Sequence, residues 1–256
     1  MRALWIGTLE LGLVNIPVRL YPATKERKLS FDLLRKGDLC PVGYVRVCKT
    51  TGEEVPHQEI VRGYEYEPGN YVVLTNEDFE KADLKRNHVI EILHFTQESE
   101  IENKYFEKPF YLSPDEGGDQ MFNLLKEAML KAKKVAIAQF VLKNQEYLGV
   151  LKAENDLLLF DQIRFVEEIK NTFGLPKPRD EPISEDDLHL VLRLIEKMSK
   201  PFTPEEYKDI YNRSIREVIK EKALGEIVRS KWERPKPTSP SQLKEQLQQS
   251  LELVRF

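Results

Sequence analysis

The hydrophobic pattern of the first 165 residues is that of a chain of short β-strands. Val, Ile, Leu and aromatic residues cluster in short runs, and turn residues such as Pro68, Gly69 and Asn70 separate them. Pro17 falls inside the second run, which predicts an edge strand or a bulge at that point. Several short strands at this spacing are typical of a barrel or a sandwich. The predicted strands span residues 5–9, 13–20, 44–48, 71–74, 89–95, 135–142, 147–151 and 157–163.

Two helices are predicted to interrupt these strands. Thr75 is a good N-cap for a short helix through about Lys85, with Asp78 at the third helical position. Asp119 is predicted to cap a longer helix over residues 120–133. The apolar side chains expected on one face of that helix are Met121, Leu125, Ala128, Met129 and Ala132.

The pattern becomes helical after residues 173–176. Ser184 precedes an apolar stripe at helical spacing, and residues 203–206 predict a capping box that opens another helix ending near Gly225. We expect these helices to pack on the barrel or on a second chain, because few apolar residues nearby in the sequence could cover their apolar stripes. The first stripe consists of Leu188, Val191, Leu192, Ile195 and Met198.

The last residues contain a proline-rich stretch and then a leucine repeat. Three prolines between residues 234 and 240 predict an extended linker. An isolated helix as short as the one that follows is marginal in water. It therefore either orders on a partner or rests on its own protein, and the sequence leaves both open. The stripe of this helix is Leu243, Leu247, Leu251 and Val254.

Composition narrows the class of protein. A chain of 256 residues that is 41% hydrophobic can form one large domain, or one domain with appendages. No apolar run approaches the ~18–20 residues of a membrane span. The first residues lack the apolar region of a signal peptide, so we expect a cytoplasmic protein without a membrane partner.

Charge is distributed unevenly along the chain. Residues 19–49 carry eight Lys or Arg against three acids, whereas the whole chain has a net charge of −4. Residues 65–120 hold fourteen acids and five bases. Because the local field decides whether a duplex is held, residues 19–49 are a candidate phosphate-contacting element. The alternative is a solvated basic loop.

The sequence contains no convincing catalytic or metal site. It has neither a phosphate-binding GxxxxGK[ST] loop nor a GxGxxG that opens a helix after a strand, and its four histidines are scattered. Cys40 and Cys48 are too few for a zinc site, and Thr51 stands where a CxxC pair would need its second cysteine. We expect free thiols, no cofactor and no enzyme.

Four motifs, in order, closely resemble bacterial Ku, the family that threads onto broken DNA ends during non-homologous end joining. The resemblance runs in register from Trp5 to about Ile169 and more loosely to about Lys222. The motifs are GTLELGLVNIPVRLY at residues 7–21, GEEVPHQEIVRGYEY at 52–66, YVVLTNEDFE at 71–80 and YFEKPFYLSPDEGG at 105–118.

The resemblance implies a mixed, mainly β fold with helices. Residues 1–175 would form the Ku-core β-barrel, with an extended DNA-encircling bridge over about 21–69. Residues 176–232 would form a helical arm for dimerisation. Residues 233–256 would be the proline-rich linker and an amphipathic C-terminal helix. The core would start at the first residues, as in the bacterial arrangement.

The resemblance also implies a function. Two copies would form a homodimeric ring around double-stranded DNA ends in the nucleoid, without sequence specificity, and would recruit an ATP-dependent DNA ligase for double-strand break repair. The C-terminal stripe of leucines would contact that ligase. The residues expected to face phosphates, about half of them in contact, are Arg19, Lys25, Arg27, Lys28, Arg35, Lys36, Arg46, Lys49, Arg62 and Lys143.

Two other functions remain open at this point. The barrel could be a scaffold that binds protein and not DNA, which a dispersed basic cluster would favour. It could also bind RNA, which would need exposed aromatic residues for stacking on single-stranded bases. The candidates are Tyr44, Tyr64, Tyr66 and Tyr71, which fit a strand core equally well.

Overall fold

The computed structural model describes residues 1–82, 88–142, 145–178, 182–225 and 242–253. Within it the chain divides into two compact units, residues 1–172 and residues 173–256. The first unit contains the β-structure and two helices. The second contains the remaining helices.

The first unit is built on a closed barrel, as the sequence predicted. Its strands follow one another around the barrel in the order β1-β2-β6-β9-β8-β7-β5, and a short parallel pairing of β1 with β5 closes it. The strands are β1 (Trp5–Leu11), β2 (Val14–Pro22), β5 (Val89–Thr96), β6 (Phe106–Pro114), β7 (Val135–Leu142), β8 (Gln145–Glu154) and β9 (Leu157–Ile163). The predicted bounds of β7 and β9 are confirmed.

Strand β2 is not the edge strand that Pro17 suggested. It pairs with β1 without a register shift, and from Val18 onward it also pairs with β6. Pro17 lies just before the pairing with β6 begins, so its missing N–H does not interrupt that ladder. Along β2, Ile16, Val18 and Leu20 are buried in the barrel. Because strand side chains alternate between faces, Arg19 lies on the outside.

Aromatic rings fill the barrel interior beside a glycine. The Phe140 and Phe160 rings meet edge to face with centroids 5.0 Å apart, an arrangement that aromatic pairs prefer. A Cβ at Gly149 would lie 2.0 Å from Cζ of Phe160. Gly149 therefore leaves the space that the Phe160 ring occupies.

Helix α2 (Asp119–Ala132) follows β6, and two predictions about it were wrong. Gly118 precedes the helix and makes no side-chain cap, so Asp119 is its first helical residue and not its N-cap. The buried face is also rotated from the predicted one, because Phe122 is packed inside the barrel cluster. Leu125 and Met129 are buried as expected, with Phe122 and Lys126, whereas Met121, Ala128 and Ala132 are exposed.

A small hairpin and helix precede β5. Strands β3 (Arg62–Glu67) and β4 (Asn70–Leu74) form a separate two-stranded sheet, followed by α1 (Asn76–Ala82). The Thr75 cap is confirmed: the Asp78 N–H donates to Oγ1 of Thr75 at 3.4 Å, and the Thr75 N–H donates to Oδ2 of Asp78 at 2.9 Å. The predicted end at Lys85 lies outside the described residues.

The second unit consists of α3 (Glu185–Met198), α4 (Ile210–Ala223) and α5 (Leu243–Leu253). Residues 203–206 do not open α4 as predicted, since they form only a single 3₁₀ turn. Helix α4 begins after Asp209, whose carboxylate accepts the N–H of Asn212 at 2.9 Å. None of the three helices has a fully buried residue. No helix in the described part of the chain is both long and apolar enough to span a bilayer.

Candidate nucleic-acid interface

The chain between β2 and β3, residues 23–61, is an extended and largely exposed segment that we call the basic segment. The strand predicted over residues 44–48 is absent. In its place are isolated bridges, Leu34 to Pro41 and Val47 to Glu54. The apolar residues of this stretch have no neighbouring strand within the described chain, so they form local loops and no sheet.

The first loop of the basic segment spans residues 33–42. The N–H of Arg35 donates to the carbonyl of Cys40 at 2.9 Å, and Leu39 turns the chain with a φ of 59°. The Arg35 guanidinium forms a two-point pair with Asp38, at 2.9 Å and 2.5 Å. Hydrogen bonding by Arg35 lowers the pKa of the Asp38 carboxyl. Part of the Arg35 charge is thus used inside the loop.

The second loop spans residues 46–55. The N–H of Cys48 donates to the carbonyl of Glu53 at 2.8 Å, and Gly52 turns the chain with a φ of 77°. Hydrogen bonds from the Thr51 side chain, and then from the backbone of Thr51 and Thr50, lower the pKa of the Cys48 thiol to about 7. The loop exposes the cations Arg46 and Lys49.

The start of the basic segment carries three further exposed cations, Lys25, Arg27 and Lys28. Lys28 lies 3.8 Å from the carboxylate of Glu26, and both side chains are well exposed. An exposed pair of this kind contributes little stability and is easily exchanged for another anion. The cations of the segment that form no ion pair with any described residue are Lys25, Lys36, Arg46 and Lys49.

Arg19 and Arg62, predicted to face phosphates, lie on structured elements and have protein contacts. A guanidinium nitrogen of Arg19 lies 2.7 Å from Oδ1 of Asp115. The guanidinium of Arg62 lies over the ring of Phe79, 5.4 Å from its centroid. Arg19 would have to release Asp115 before it could contact a phosphate.

The other predicted site residues do not extend this surface. Lys143 and Val254 lie outside the described residues. Leu243, Leu247 and Leu251 lie on α5, in the second unit, where α5 contacts α3. Their predicted role in binding a partner stays a prediction.

The tyrosines considered for a strand core are at the surface. Tyr44 is 90% exposed, and the three tyrosines of the β3–β4 hairpin are also exposed. A two-stranded sheet has no second layer to cover it, so its alternating pattern does not create a core. The hairpin tyrosines are Tyr64, Tyr66 and Tyr71.

Residues 10–190 match the family described as "Ku: Ku70/Ku80 beta-barrel domain". The chain belongs to the Ku family. The resemblance that the four motifs carried is thereby confirmed, together with the barrel fold.

Several Ku relatives are similar over most of their length. The chain is 40% identical over 227 residues to the non-homologous end joining protein Ku of Opitutus terrae, covering 87% of this chain and 80% of the relative. It is 37% identical to the protein of that name from Archaeoglobus fulgidus, covering 89% and 91%. It is 38% identical to the one from Pseudomonas aeruginosa, covering 87% and 77%.

Sequence reasoning about the Ku barrel missed the role of Asp115. Its carboxylate accepts the N–H of Glu116 at 2.8 Å and also pairs with Arg19. The pairing depends on β2 lying beside β6, about a hundred residues apart, so no local signal in the sequence could reveal it.

The two cysteines of the basic segment are both free, with Cys40 exposed and Cys48 half-buried. No group of three or more His, Cys, Asp and Glu side chains in the described ranges is arranged to hold a metal ion.

Proposed function

We propose that this chain binds the ends of double-stranded DNA without sequence preference, as a homodimeric ring, and recruits an ATP-dependent DNA ligase in non-homologous end joining. Family membership and the shared name of the relatives, non-homologous end joining protein Ku, support the repair role. The observation that carries the DNA-binding part is the set of exposed cations on the basic segment.

The chemistry of these cations suits a phosphate backbone. Lys25, Lys36, Arg46 and Lys49 are exposed, and they form no ion pair within the described part of the chain. Contact with a duplex would release condensed counterions, which supplies affinity for any sequence. Contacts to phosphates carry no base information, as a protein that accepts any broken end requires. Arg35 is the weaker candidate, because Asp38 already occupies its guanidinium.

A second copy is supported by the apolar surface that one chain leaves exposed. Monomeric proteins rarely expose large contiguous apolar patches. In the first unit, the exposed apolar residues of the basic segment and the hairpin include Phe31, Leu33, Leu39, Tyr44, Val61, Tyr64, Tyr71 and Val73. In the second unit they include Leu188, Leu192, Ile195, Met198, Ile210, Tyr211 and Ile219.

Twofold pairing would double the basic surface. Each cation of the basic segment would appear twice around the axis, because a twofold interface uses the same residues on both copies. We place the dimer contact on residues 184–222 and on adjacent barrel edges, and the bridge on residues 21–69. A closed ring built in this way admits a duplex only through a free end.

Ligase recruitment is assigned to the segment after Glu233. Deleting it should leave DNA loading intact and reduce stimulation of an ATP-dependent DNA ligase, because the leucine stripe of α5 would be lost. The matched control is the full-length chain with Gln249→Ala, which keeps that stripe. Undiminished end joining by the truncated chain would remove the ligase-docking role.

The proposal as a whole is tested by comparing linear and covalently closed duplexes of one sequence in a gel shift. We expect binding to the linear form and none to the closed form, because the phosphates are the same and only the ends differ. Equal affinity for both forms would reject the ring.

The exposed hairpin tyrosines favour one alternative, an RNA-binding barrel that stacks single-stranded bases. Single-stranded RNA would then compete with the linear duplex mole for mole. A protein-binding scaffold would bind neither nucleic acid at low salt. Competition by unlabelled duplex alone favours the end-binding proposal over both.

A further inference from the structure

Helices α3 and α5 of the second unit contact each other, although they are far apart in sequence. Nζ of Lys244, near the start of α5, lies 3.8 Å from Oδ2 of Asp186, near the start of α3. The amine of Lys197, near the end of α3, donates to the carbonyl of Leu251, near the end of α5. These contacts join start to start and end to end, so the two helices run parallel.

One face of α3 is turned toward α5. Asp186, His189, Leu190 and Arg193 line a single groove together with Lys244 and Gln248 of α5. Asp186, Leu190 and Arg193 are spaced by four and three positions, which places them on one side of a helix. A different face of α3 carries Leu188, Leu192, Ile195 and Met198, which remain exposed. The groove between α3 and α5 is thus lined mostly by polar side chains, while the second, apolar face of α3 stays open.

The contact favours the helical form of α5. A helix as short as Leu243–Leu253 is marginal by itself in water. The Lys197 amine donates to the carbonyl of Leu251 and so ties the second half of α5 to α3.

The contact is also easy to break. No residue of α5 is fully buried; Leu247 and Leu251 are half-buried, and Leu253 is 80% exposed. The Lys244–Asp186 pair is exposed to solvent, where such pairs are weak and screened by salt. Because α3 and α5 belong to one chain, their covalent connection raises the effective concentration of α5 at α3.

We propose that α3 is the internal docking site of α5, and that α5 is a clasp whose Leu247 and Leu251 become fully available only when it leaves α3. The docking of α5 on α3 is inferred from their contacts alone. Its regulatory meaning rests on the proposed function: a partner protein with an apolar groove would compete with α3 for the same leucines. The clasp would hold recruitment low until that partner is concentrated, for instance at a loaded DNA end.

The docking site is tested with a fluorescent peptide of residues 241–256 and two full-length proteins. One is the unaltered chain. The other carries Leu247→Asp and Leu251→Asp, so that its own α5 no longer occupies α3. By anisotropy we expect the peptide to bind the double variant at least tenfold more tightly than the unaltered chain. Equal binding by the two chains, or no binding to the double variant, would overturn the docking site.

A charge exchange tests the orientation of the helices. Adding Asp186→Lys to the double variant should weaken binding of the natural peptide, and a peptide with Lys244→Asp should restore it. A peptide with Glu252→Lys serves as the control, because Glu252 is exposed and forms no ion pair with a described residue of α3. Failure of the Lys244→Asp peptide to recover binding would contradict the parallel arrangement.

A separate measurement tests whether docking of α5 on α3 limits the stimulation of a ligase. Full-length Asp186→Lys keeps the sequence of α5 but weakens the clasp, so it should stimulate an ATP-dependent DNA ligase at lower protein concentration than the unaltered chain. Unchanged stimulation, with peptide docking intact, would overturn regulation by the clasp. A chain truncated after Glu233 that stimulates ligase fully would instead remove the ligase role of α5, while the peptide result would still stand.

Discussion

Arg19 and Asp115 form an ion pair, at 2.7 Å, that joins the outer face of β2 to the loop between β6 and α2. The N–H of Asp115 also donates to the carbonyl of Pro17 at 2.9 Å. The loop is thus held to β2 by a side chain and by the backbone. The charge of Arg19 is satisfied inside the barrel unit, which sets it apart from the cations of the basic segment.

Asp115→Asn should destabilise the fold in a pH-dependent way. Hydrogen bonding by Arg19 lowers the pKa of the Asp115 carboxyl below its ordinary value of about 3.9. A carboxyl with a depressed folded-state pKa stabilises the fold above its unfolded pKa, and this stability is lost as pH falls through the folded-state pKa. The variant should therefore have a slightly lower Tm at pH 7, and the difference should vanish at a low pH, below the folded-state pKa of Asp115.

Glu116→Gln is the matched control, because Glu116 is the exposed neighbour of Asp115 and forms no ion pair in the described structure. Its Tm should follow that of the unaltered chain at both pH values. A Tm difference for Asp115→Asn that persists unchanged at the low pH would show that the ion pair is not its cause.

Most barrel strands were predictable from sequence because they alternate or are continuously apolar, and β7 and β9 begin and end where that pattern does. Strand β6 was not among the predicted strands. The strand expected at residues 44–48 has the right composition but no strand to pair with. The start of α4 was misplaced because Asp209, and not Thr203, supplies the cap. Local composition identifies elements, whereas their neighbours decide which of them form.

For the candidate site too, sequence predicts the features that are local and misses those that depend on the fold. The exposed cations of the basic segment could be identified by counting charges, since solvent exposure is the ordinary fate of Lys and Arg. The engagement of Arg19 by Asp115 and of Arg62 by Phe79 could not, because each depends on elements that only the fold brings together.

Reversing four charges of the basic segment should remove most DNA binding and leave the oligomeric state unchanged. For the unaltered chain, neutralising some six phosphates predicts a slope of about −5 for log K against log salt. The variant should lose that salt dependence along with its affinity, as measured by anisotropy across a salt series. The four substitutions are Arg27→Glu, Lys28→Glu, Arg35→Glu and Lys36→Glu.

A variant with the same change of net charge elsewhere separates local contacts from overall charge. The control reverses four exposed lysines at the end of α2 and beyond β9, and it should retain most of the affinity. Equal loss in both variants would show that the basic segment has no special part in binding. The control positions are Lys131, Lys133, Lys134 and Lys170.

Cys48 should react as a thiolate near neutral pH. Hydrogen bonding by Thr51 and Thr50 lowers the pKa of its thiol to about 7, against about 8.5 for an ordinary cysteine. In a Cys40→Ser background, the rate of alkylation by iodoacetamide should rise with pH and reach half its maximum near pH 7. Thr51→Val removes the hydroxyl and should move that midpoint upward. A midpoint that Thr51→Val leaves in place would contradict the assigned cause.

The exposed stripe of α3 should be needed for dimerisation. Leu192→Asp with Ile195→Asp should convert the dimer to a monomer at micromolar concentration, because both side chains are on the open apolar face. Glu196→Lys, a change at the polar residue that directly follows Ile195, should leave the dimer intact. Light scattering measures both. A stable folded monomer formed by the unaltered chain at micromolar concentration would contradict the dimer itself.

The most direct test of the ring is the order in which DNA ends are blocked. Bulky protein plugs attached to both ends of a linear duplex before the protein is added should prevent loading, because a closed ring has no sideways entrance. The same plugs attached after loading should trap the protein, so that it survives a high-salt wash that would release an electrostatically bound protein. The account predicts no complex in the first order and a salt-resistant complex in the second. Equal, salt-sensitive binding in both orders would contradict it.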